Sequence, residues 1–374
     1  MEVEVKQKKI NGMCIWIAII LAFIFCGCSN SEKTAETKEV KKHPYTQLCG
    51  DGLDYVNVYI YFYGDDLEDI SHVASEDIKE IAQNNISENV RIYFETNGGR
   101  NWKPWEEKGL NISNESVQRY EVSNKGIKVI ENDLGPIDLD VKENLLWFIR
   151  DTYKIRPAER NILILWGHGN GSYLWQNKRS LPNGLTPQDF DEVLSEAGVK
   201  FEVIGFDCCS MANISMLQVA SKHADYLIAA STKEPISGWN YTNWISMLSS
   251  NTSIPAQDYI CQIVNDYVKS LPEEPTYNLI AFNLIDADDL FEILNEEVLL
   301  QIEEQLNQIN DLKPEGVELS KVLSGLENSQ KINGLINKMT IIYGSNQEKA
   351  DSNLGLNVTQ YDIERLSSQM NAEI

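Results

Sequence analysis

Histidine is scarce in this chain, with four in 374 residues. Basic side chains are also in deficit: 32 Lys and Arg stand against 56 Asp and Glu, a net charge of −24. No basic patch breaks that excess, so the electrostatic footprint of a nucleic-acid-binding protein is missing. No CxxC pair occurs, and no His/Cys spacing suits zinc. No GxGxxG follows the first strand-like run and no phosphate-loop motif is present, which leaves no nucleotide site to expect. No repeat of 20–50 residues exists, so the chain is not a solenoid. What is present is an ordinary globular balance, 43% hydrophobic and 24% charged, long enough for one large domain or two modest ones.

The N-terminus reads as a targeting segment. Lys6, Lys8 and Lys9 precede an uncharged apolar run from Met13 to Cys26, too short and wrongly flanked for a transmembrane span. The run ends in Phe25-Cys26-Gly27-Cys28-Ser29-Asn30, which resembles a bacterial lipobox with Phe25 in place of the usual Leu. Residues 1–27 are then a lipoprotein signal peptide and Cys28 carries the lipid; an uncleaved N-terminal anchor is the alternative. Both place the domain outside the bacterial cytoplasmic membrane. Residues 28–52 are polar and lysine-rich, the composition of a tether. Cys49, Cys208, Cys209 and Cys261 remain outside the signal region, and spacing alone does not decide whether Cys49 and Cys261 pair.

Beyond the tether, strand and helix patterns alternate. Val56–Tyr63, Val90–Glu95, Gly126–Glu131, Ile162–Trp166, Val203–Phe206, Tyr226–Ser231, Asn278–Asn283 and Thr340–Tyr343 read as strands. Asp69–Asn84, Asp140–Tyr153, Thr186–Ala197, Met211–Ala224, Asp258–Leu271 and Leu290–Leu312 read as helices, with Thr186 and Pro187 forming a cap and first turn. Unbroken apolar strands between helices predict an α/β fold, a mostly parallel sheet covered on both faces. We expect an α/β domain over residues 53–285 and a mainly helical region, packed on the sheet, over 286–374.

In such sheets, functional groups gather beyond the carboxyl ends of the strands. Two strand ends carry unusual residues: Gly167-His168-Gly169 and Phe206-Asp207-Cys208-Cys209-Ser210. One helix separates them in sequence, so the two strands are expected to be neighbours. A cysteine nucleophile needs an imidazole close by. His43 falls in the tether, His72 and His223 fall in helices, and only His168 stands at a strand end. The order His before Cys, 41 residues apart, is that of caspase-type enzymes and the reverse of papain-type ones. Taken singly, a Gly-His-Gly turn is a tight loop and a cysteine after a strand is a small core residue. Their joint placement favours catalysis, and the residues alone leave Cys208 and Cys209 as competing nucleophiles.

Four blocks carry a family resemblance: VYIYFYGDDLE, NILILWGHGNGSYLW, LTPQDFDEVLSEAGVKFEVIGFDCCSMANISMLQVA and ADYLIAASTKEPISGWNY. From about Val56 to Leu248 the chain resembles the clostripain-like cysteine peptidases of the caspase–gingipain clan. The resemblance implies a caspase-like three-layer sandwich and a cysteine endopeptidase that needs no cofactor. It places the nucleophile at Cys209, the third residue of Asp-x-Cys, and makes His168 the base or proton donor. The N–H groups of Gly169 and Cys209 would hold the oxyanion. Asp207 would bind an Arg or Lys side chain before the cleaved bond, and otherwise caps the following helix. The second acid that often precedes Gly-Trp is Ser237 here, before Gly238-Trp239, and Trp239 would wall the pocket. Lys178 and Arg179 lie between the catalytic blocks, where relatives are cut on maturation. Calcium, to which some relatives respond, could be met by the turns Gly64-Asp65-Asp66 or Asp286-Ala287-Asp288-Asp289, neither of which is an EF-hand loop. The expected partners are a peptide or protein substrate and, through the lipid, a membrane. The rival reading is a non-enzymatic surface module that kept the fold for binding, and an acyl-enzyme captured by an amine would make the chain a transpeptidase.

Overall fold

The computed structural model describes residues 45–105, 108, 110–136, 141–175, 184–347 and 355–372. Strand β1 (Val56–Tyr63) leads to the short helix α1 (Asp65–Asp69), then α2 (Val73–Gln83), β2 (Val90–Asn97), and an antiparallel pair β3 (Gln118–Ser123) and β4 (Gly126–Glu131). Helix α3 (Val141–Ile155), β5 (Arg160–Trp166), α4 (Pro187–Ala197), β6 (Phe201–Asp207), α5 (Ile214–His223) and β7 (Ala224–Ala229) follow. Next come α6 (Thr242–Ser250), α7 (Ala256–Ser270), β8 (Asn278–Asn283), α8 (Ala287–Ile293), α9 (Glu296–Leu306), β9 (Val317–Glu318), α10 (Leu319–Leu323) and α11 (Ser329–Met339). The last elements are β10 (Thr340–Ser345), β11 (Asn357–Val358) and α12 (Gln360–Ala372).

Nine strands form one sheet in the order β10-β8-β7-β6-β5-β1-β2-β3-β4. The central pairs β2–β1, β1–β5, β5–β6 and β6–β7 are parallel, and the outer ones are antiparallel. Every residue of β1 is buried, as is every residue of β5 and β6, because helices cover both faces. The unbroken apolar runs follow from that double cover. Alternate residues feed two cores. Tyr59, Tyr61, Leu163, Leu165, Ile204 and Phe206 pack against α3, α4, α5 and the C-terminal helices. Val58, Ile60, Ile162, Ile164 and Val203 pack against α2, α6 and α7.

The chain leaves β1 toward β2 on one side and returns through α3 to β5 on the other, so the topological switch lies between β1 and β5, where a crevice opens at the carboxyl ends. The C-terminal region is helical but also contributes β10 to the main sheet.

Several elements differ from the pattern reading. The stretch read as one helix over Asp69–Asn84 is two, broken at His72, which takes φ 56°. The stretch Leu290–Leu312 is likewise two helices, because Asn295 caps α9 by accepting the N–H of Val298 at 3.1 Å. Strand β3, QRYEVS, has only a short apolar alternation, Tyr120 and Val122, and its remaining residues are polar or charged. It is buried all the same, since Arg119 donates to Glu95 at 2.8 Å inside the core. From Tyr45 the chain already touches the domain: the N–H groups of Tyr45 and Thr46 donate to Asp225. Cys49 and Cys261 are both free thiols.

Candidate active site

The two unusual strand ends lie side by side. Strand β5 pairs with β6 so that Trp166 stands opposite Asp207. The Gly167 N–H then donates to the Asp207 carbonyl at 3.1 Å. Gly167 takes φ 137°, and a Cβ there would lie 2.7 Å from the Tyr63 carbonyl oxygen, so only glycine lets the chain turn. His168 follows at once. Its turn is closed by Trp175 N–H donating to His168 O at 2.8 Å and Asn170 N–H donating to Tyr173 O at 3.2 Å, neither of which uses the Gly169 N–H. A Cβ on Gly169 would collide with the Cys209 carbonyl oxygen. That glycine is what allows the histidine loop and the cysteine loop to touch.

Beyond β6, the two thiols part company. Cys208 is 1% exposed, and its thiol donates to the Leu165 carbonyl at 3.2 Å. Burial pushes its pKa well above the ordinary thiol value. Cys209 is half-buried and faces the cleft, where its Sγ accepts the Glu234 N–H at 3.2 Å. Burial raises its pKa as well, opposed by that N–H and by the charge of Lys233. Ser210 at φ 61° turns the chain, Ser210 N–H donates to Thr232 O at 2.8 Å, and Asn213 caps α5.

A pocket of about 230 Å³ opens between these loops, lined among others by Leu67, His168, Asp207, Cys209, Glu234 and Ile236. His168 and Cys209 thus share one cleft. Within it the imidazole is engaged by a residue that the sequence reading weighed for calcium or as a helix N-terminal acid, and not as a partner of histidine: His168 Nε2 lies 2.6 Å from Asp66 Oδ1, just past β1. Asp65, Asp66 and His168 each offer a ligand atom, all within 4.8 Å of one another, and so could hold a cation. The other calcium candidate differs, since Asp286 pairs with Lys338 at 2.9 Å.

The pocket floor is acidic. Asp207 Oδ2 accepts from Tyr241 Oη at 2.8 Å and from Trp239 N–H at 3.3 Å. Glu234 Oε1 accepts from Trp239 Nε1 at 3.4 Å, and the Glu234 and Asp207 side chains hydrogen-bond each other. Behind them Asp77 accepts from Trp166 Nε1 at 2.8 Å. Burial pushes Asp207 up to about 6, although Tyr241 and Glu234 stabilise its charge. Burial, followed by the negative charge of Asp207, lifts Glu234 well above the usual carboxylate range, so it holds the shared proton. Among the described residues no Lys or Arg forms an ion pair with Asp77, Asp207 or Glu234. A Cβ on Gly238 would sit 2.7 Å from Asp207 Oδ1, so glycine lets this loop lie on the carboxylate.

Trp239 is 2% exposed and supports both acids from below. Ser237 is exposed and does not line the pocket. Lys178, Arg179 and Cys28 lie outside the described residues. The sequence reading missed Asp66 as a partner of His168 and Glu234 as the second acid. Each stood in a quoted block, in Gly64-Asp65-Asp66-Leu67 and in Lys233-Glu234-Pro235, but only the fold shows where they point.

The sequence profile described as the clostripain family (peptidase C11) matches residues 60–354. No curated protein sequence matches the chain significantly. Solved structures share the fold. An inactive zymogen C11 protease from Parabacteroides distasonis aligns with a TM-score of 0.60 at 16% identity, over 85% of this chain and 96% of that one. A secreted C11 cysteine protease from Bacteroides thetaiotaomicron aligns with a TM-score of 0.60 at 16% identity, over 85% of this chain and 97% of that one. A structure of a secreted C11 cysteine protease from the same organism, with an irreversible peptide inhibitor, gives 0.58 at 16% identity, over 84% and 97%. These comparisons agree with the α/β architecture, a mostly parallel sheet between helical layers, expected from the sequence.

Proposed function

Because this chain belongs to the clostripain family of cysteine peptidases, we propose that it is an endopeptidase with Cys209 as nucleophile and His168 as proton carrier, cutting after Arg or Lys. The single observation that carries this is the shared cleft: His168, Cys209, Asp207 and Glu234 line one open pocket, and Cys208, although it also borders that pocket, is 1% exposed with its thiol turned to the Leu165 carbonyl. Cys209 Sγ attacks the scissile carbonyl carbon, and the thiol proton passes to His168. The N–H groups of Gly169 and Cys209 hold the oxyanion, an arrangement worth roughly 3–4 kcal/mol to the barrier. His168 delivers the proton to the leaving amine as the C–N bond breaks, leaving a thioester. Water then attacks the thioester, loses a proton to His168, and releases the acid and the thiol. No cofactor enters this scheme.

Basic specificity rests on the pocket floor. Buried carboxyls without an internal cation are electrostatically incomplete. A guanidinium or ammonium from the substrate supplies the missing charge. Ser237 is not needed for this, because Glu234 stands beside Asp207 instead.

The test is a peptide-library digest with wild type, Cys209→Ala and Cys208→Ala, together with labelling by arginine- and lysine-directed chloromethylketones. Cleavage after basic residues, lost only in Cys209→Ala, supports the reading. A Cys209 that takes no adduct from any affinity reagent would instead leave a binding module. The same pocket would accept Lys178 or Arg179 in self-processing, and mass spectrometry of the purified chain tests that. Among the described residues no helix is long and apolar enough to cross a membrane. Attachment through lipid on Cys28, outside the cytoplasm, is the localisation we propose, and metabolic labelling with a palmitate analogue in wild type and Cys28→Ser tests it.

A further inference from the structure

We infer that Asn213 is a positioning residue that sets His168 against Cys209, held in place from behind by Asn357 of the C-terminal region. This rests on the peptidase reading above. Asn213 lies four residues after Cys209 and is fully buried. Its amide works in two directions. Oδ1 accepts the Met216 N–H at 2.9 Å and caps α5, while Nδ2 donates to the Gly171 carbonyl at 2.7 Å. Gly171 lies three residues after His168. One side chain therefore joins the cysteine loop to the histidine loop, and capping α5 uses only half of it.

Asn357 closes the arrangement. Its backbone N–H donates to Ala212 O at 2.9 Å, directly before Asn213. Its Nδ2 donates to Ser231 O at 2.8 Å and to Glu315 O at 3.0 Å. The Glu315 backbone packs against Gly171 so closely that a Cβ there would lie 2.9 Å from the Glu315 Cα. The histidine loop, the cysteine loop, the segment after β7 and the segment before β9 thus meet at two buried amides. Among the described residues no side-chain hydrogen bond joins His168 to Cys209, since the imidazole is bonded to Asp66 and the sulfur to Glu234 N–H. Their alignment therefore depends on how the two loops are tied together, and Asn213 supplies a direct side-chain tie.

The chemistry offers a discriminating readout. Breaking a peptide bond uses His168 twice, to take the Cys209 thiol proton and to hand a proton to the leaving nitrogen, whereas a 4-nitrophenyl ester with the same residues before the cleaved bond needs no proton on its leaving group and uses His168 only for the first step. Two variants keep the cap and remove the amide nitrogen that reaches Gly171: Asn213→Asp and the shorter, uncharged Asn213→Ser, both good N-cap residues. The quantity to measure is kcat/KM for acylation by peptide and by ester in the full chain. Peptide cleavage is expected to fall roughly 10- to 100-fold in both variants, as for a misplaced catalytic group, while the ester, which needs His168 only to take the thiol proton, loses several-fold less. Equal losses on both substrates, no loss on either, or failure of both variants to fold would make Asn213 a structural residue only and overturn the inference. A wild-type chain whose Cys209 is not acylated by the ester overturns the peptidase reading itself, which separates the two failures.

Discussion

Asp66 Oδ1 and His168 Nε2 meet at 2.6 Å across the switch point between β1 and β5. In the proposed mechanism the carboxylate accepts the hydrogen bond of Nε2–H and Nδ1 exchanges protons with sulfur and leaving group. Asp66→Asn keeps a polar contact but loses the charge and the strong acceptor. Peptide kcat is expected to fall about tenfold with KM nearly unchanged, the loss typical of a group that orients a base rather than touching substrate. Unchanged kcat would show that the His168 orientation comes from its loop alone.

The acidic floor makes binding of a basic substrate depend on pH. Asp207 is pushed up to about 6, so it loses charge as pH falls through that value. KM for an arginyl substrate is expected to rise below pH 6 by close to tenfold per pH unit, while kcat moves less. Asp207→Asn is expected to remove both the dependence and most of the basic preference. Glu234→Gln, which imitates the protonated acid, is expected to keep the pH dependence and weaken binding of Arg more than Lys, since a guanidinium engages two acceptors. KM values flat from pH 5 to 8 in wild type would count against the pocket assignment.

The adjacent thiols are expected to behave oppositely. Cys209→Ala abolishes turnover and leaves the fold intact, because the side chain faces the cleft. Cys208→Ala keeps kcat within about twofold and costs about 1 kcal/mol of stability, the scale for removing a small buried group. Thermal melts and turnover on the same preparations check both. A dead Cys208→Ala that still folds would reopen the choice of nucleophile.

Away from the cleft, Asp191 gathers His223 Nε2 at 2.7 Å and Lys222 Nζ at 2.7 Å between α4 and α5. Burial alone would raise Asp191, but its hydrogen bonds to His223 and Lys222 outweigh that and hold it at about 2. A depressed carboxylate stabilises the fold above its unfolded value near 3.9, and that contribution disappears as pH falls toward 2. It amounts to about 2 kcal/mol. Asp191→Asn is expected to lower stability by that order at pH 7 and hardly at all at pH 2, measured by urea unfolding. An equal loss at both pH values would assign the effect to packing instead.

The strands that build the centre of the sheet were legible because burial on both faces leaves an unbroken apolar run, as in VNVYIYFY and NILILW. The edge was not. Strand β3 hides an Arg119–Glu95 pair that only the covering helix α3 makes tolerable, and periodicity has no means to detect such compensation. Helix breaks at His72 and Leu294 escaped for a similar reason: apolar spacing continued through them while local backbone geometry and the Asn295 cap ended the helices.

His168 and the two cysteines could be picked out from the chain itself, because glycines and strand ends mark where backbone can approach a substrate, and chain order narrowed the chemistry. Which thiol faces solvent, which carboxylate reaches the imidazole and which acid accompanies Asp207 were settled only by tertiary structure. Asp66, Glu234, Asn213 and Asn357 are remote in sequence from the groups they serve, and hydrogen bonds at 2.6–3.2 Å depend on where loops land rather than on local composition.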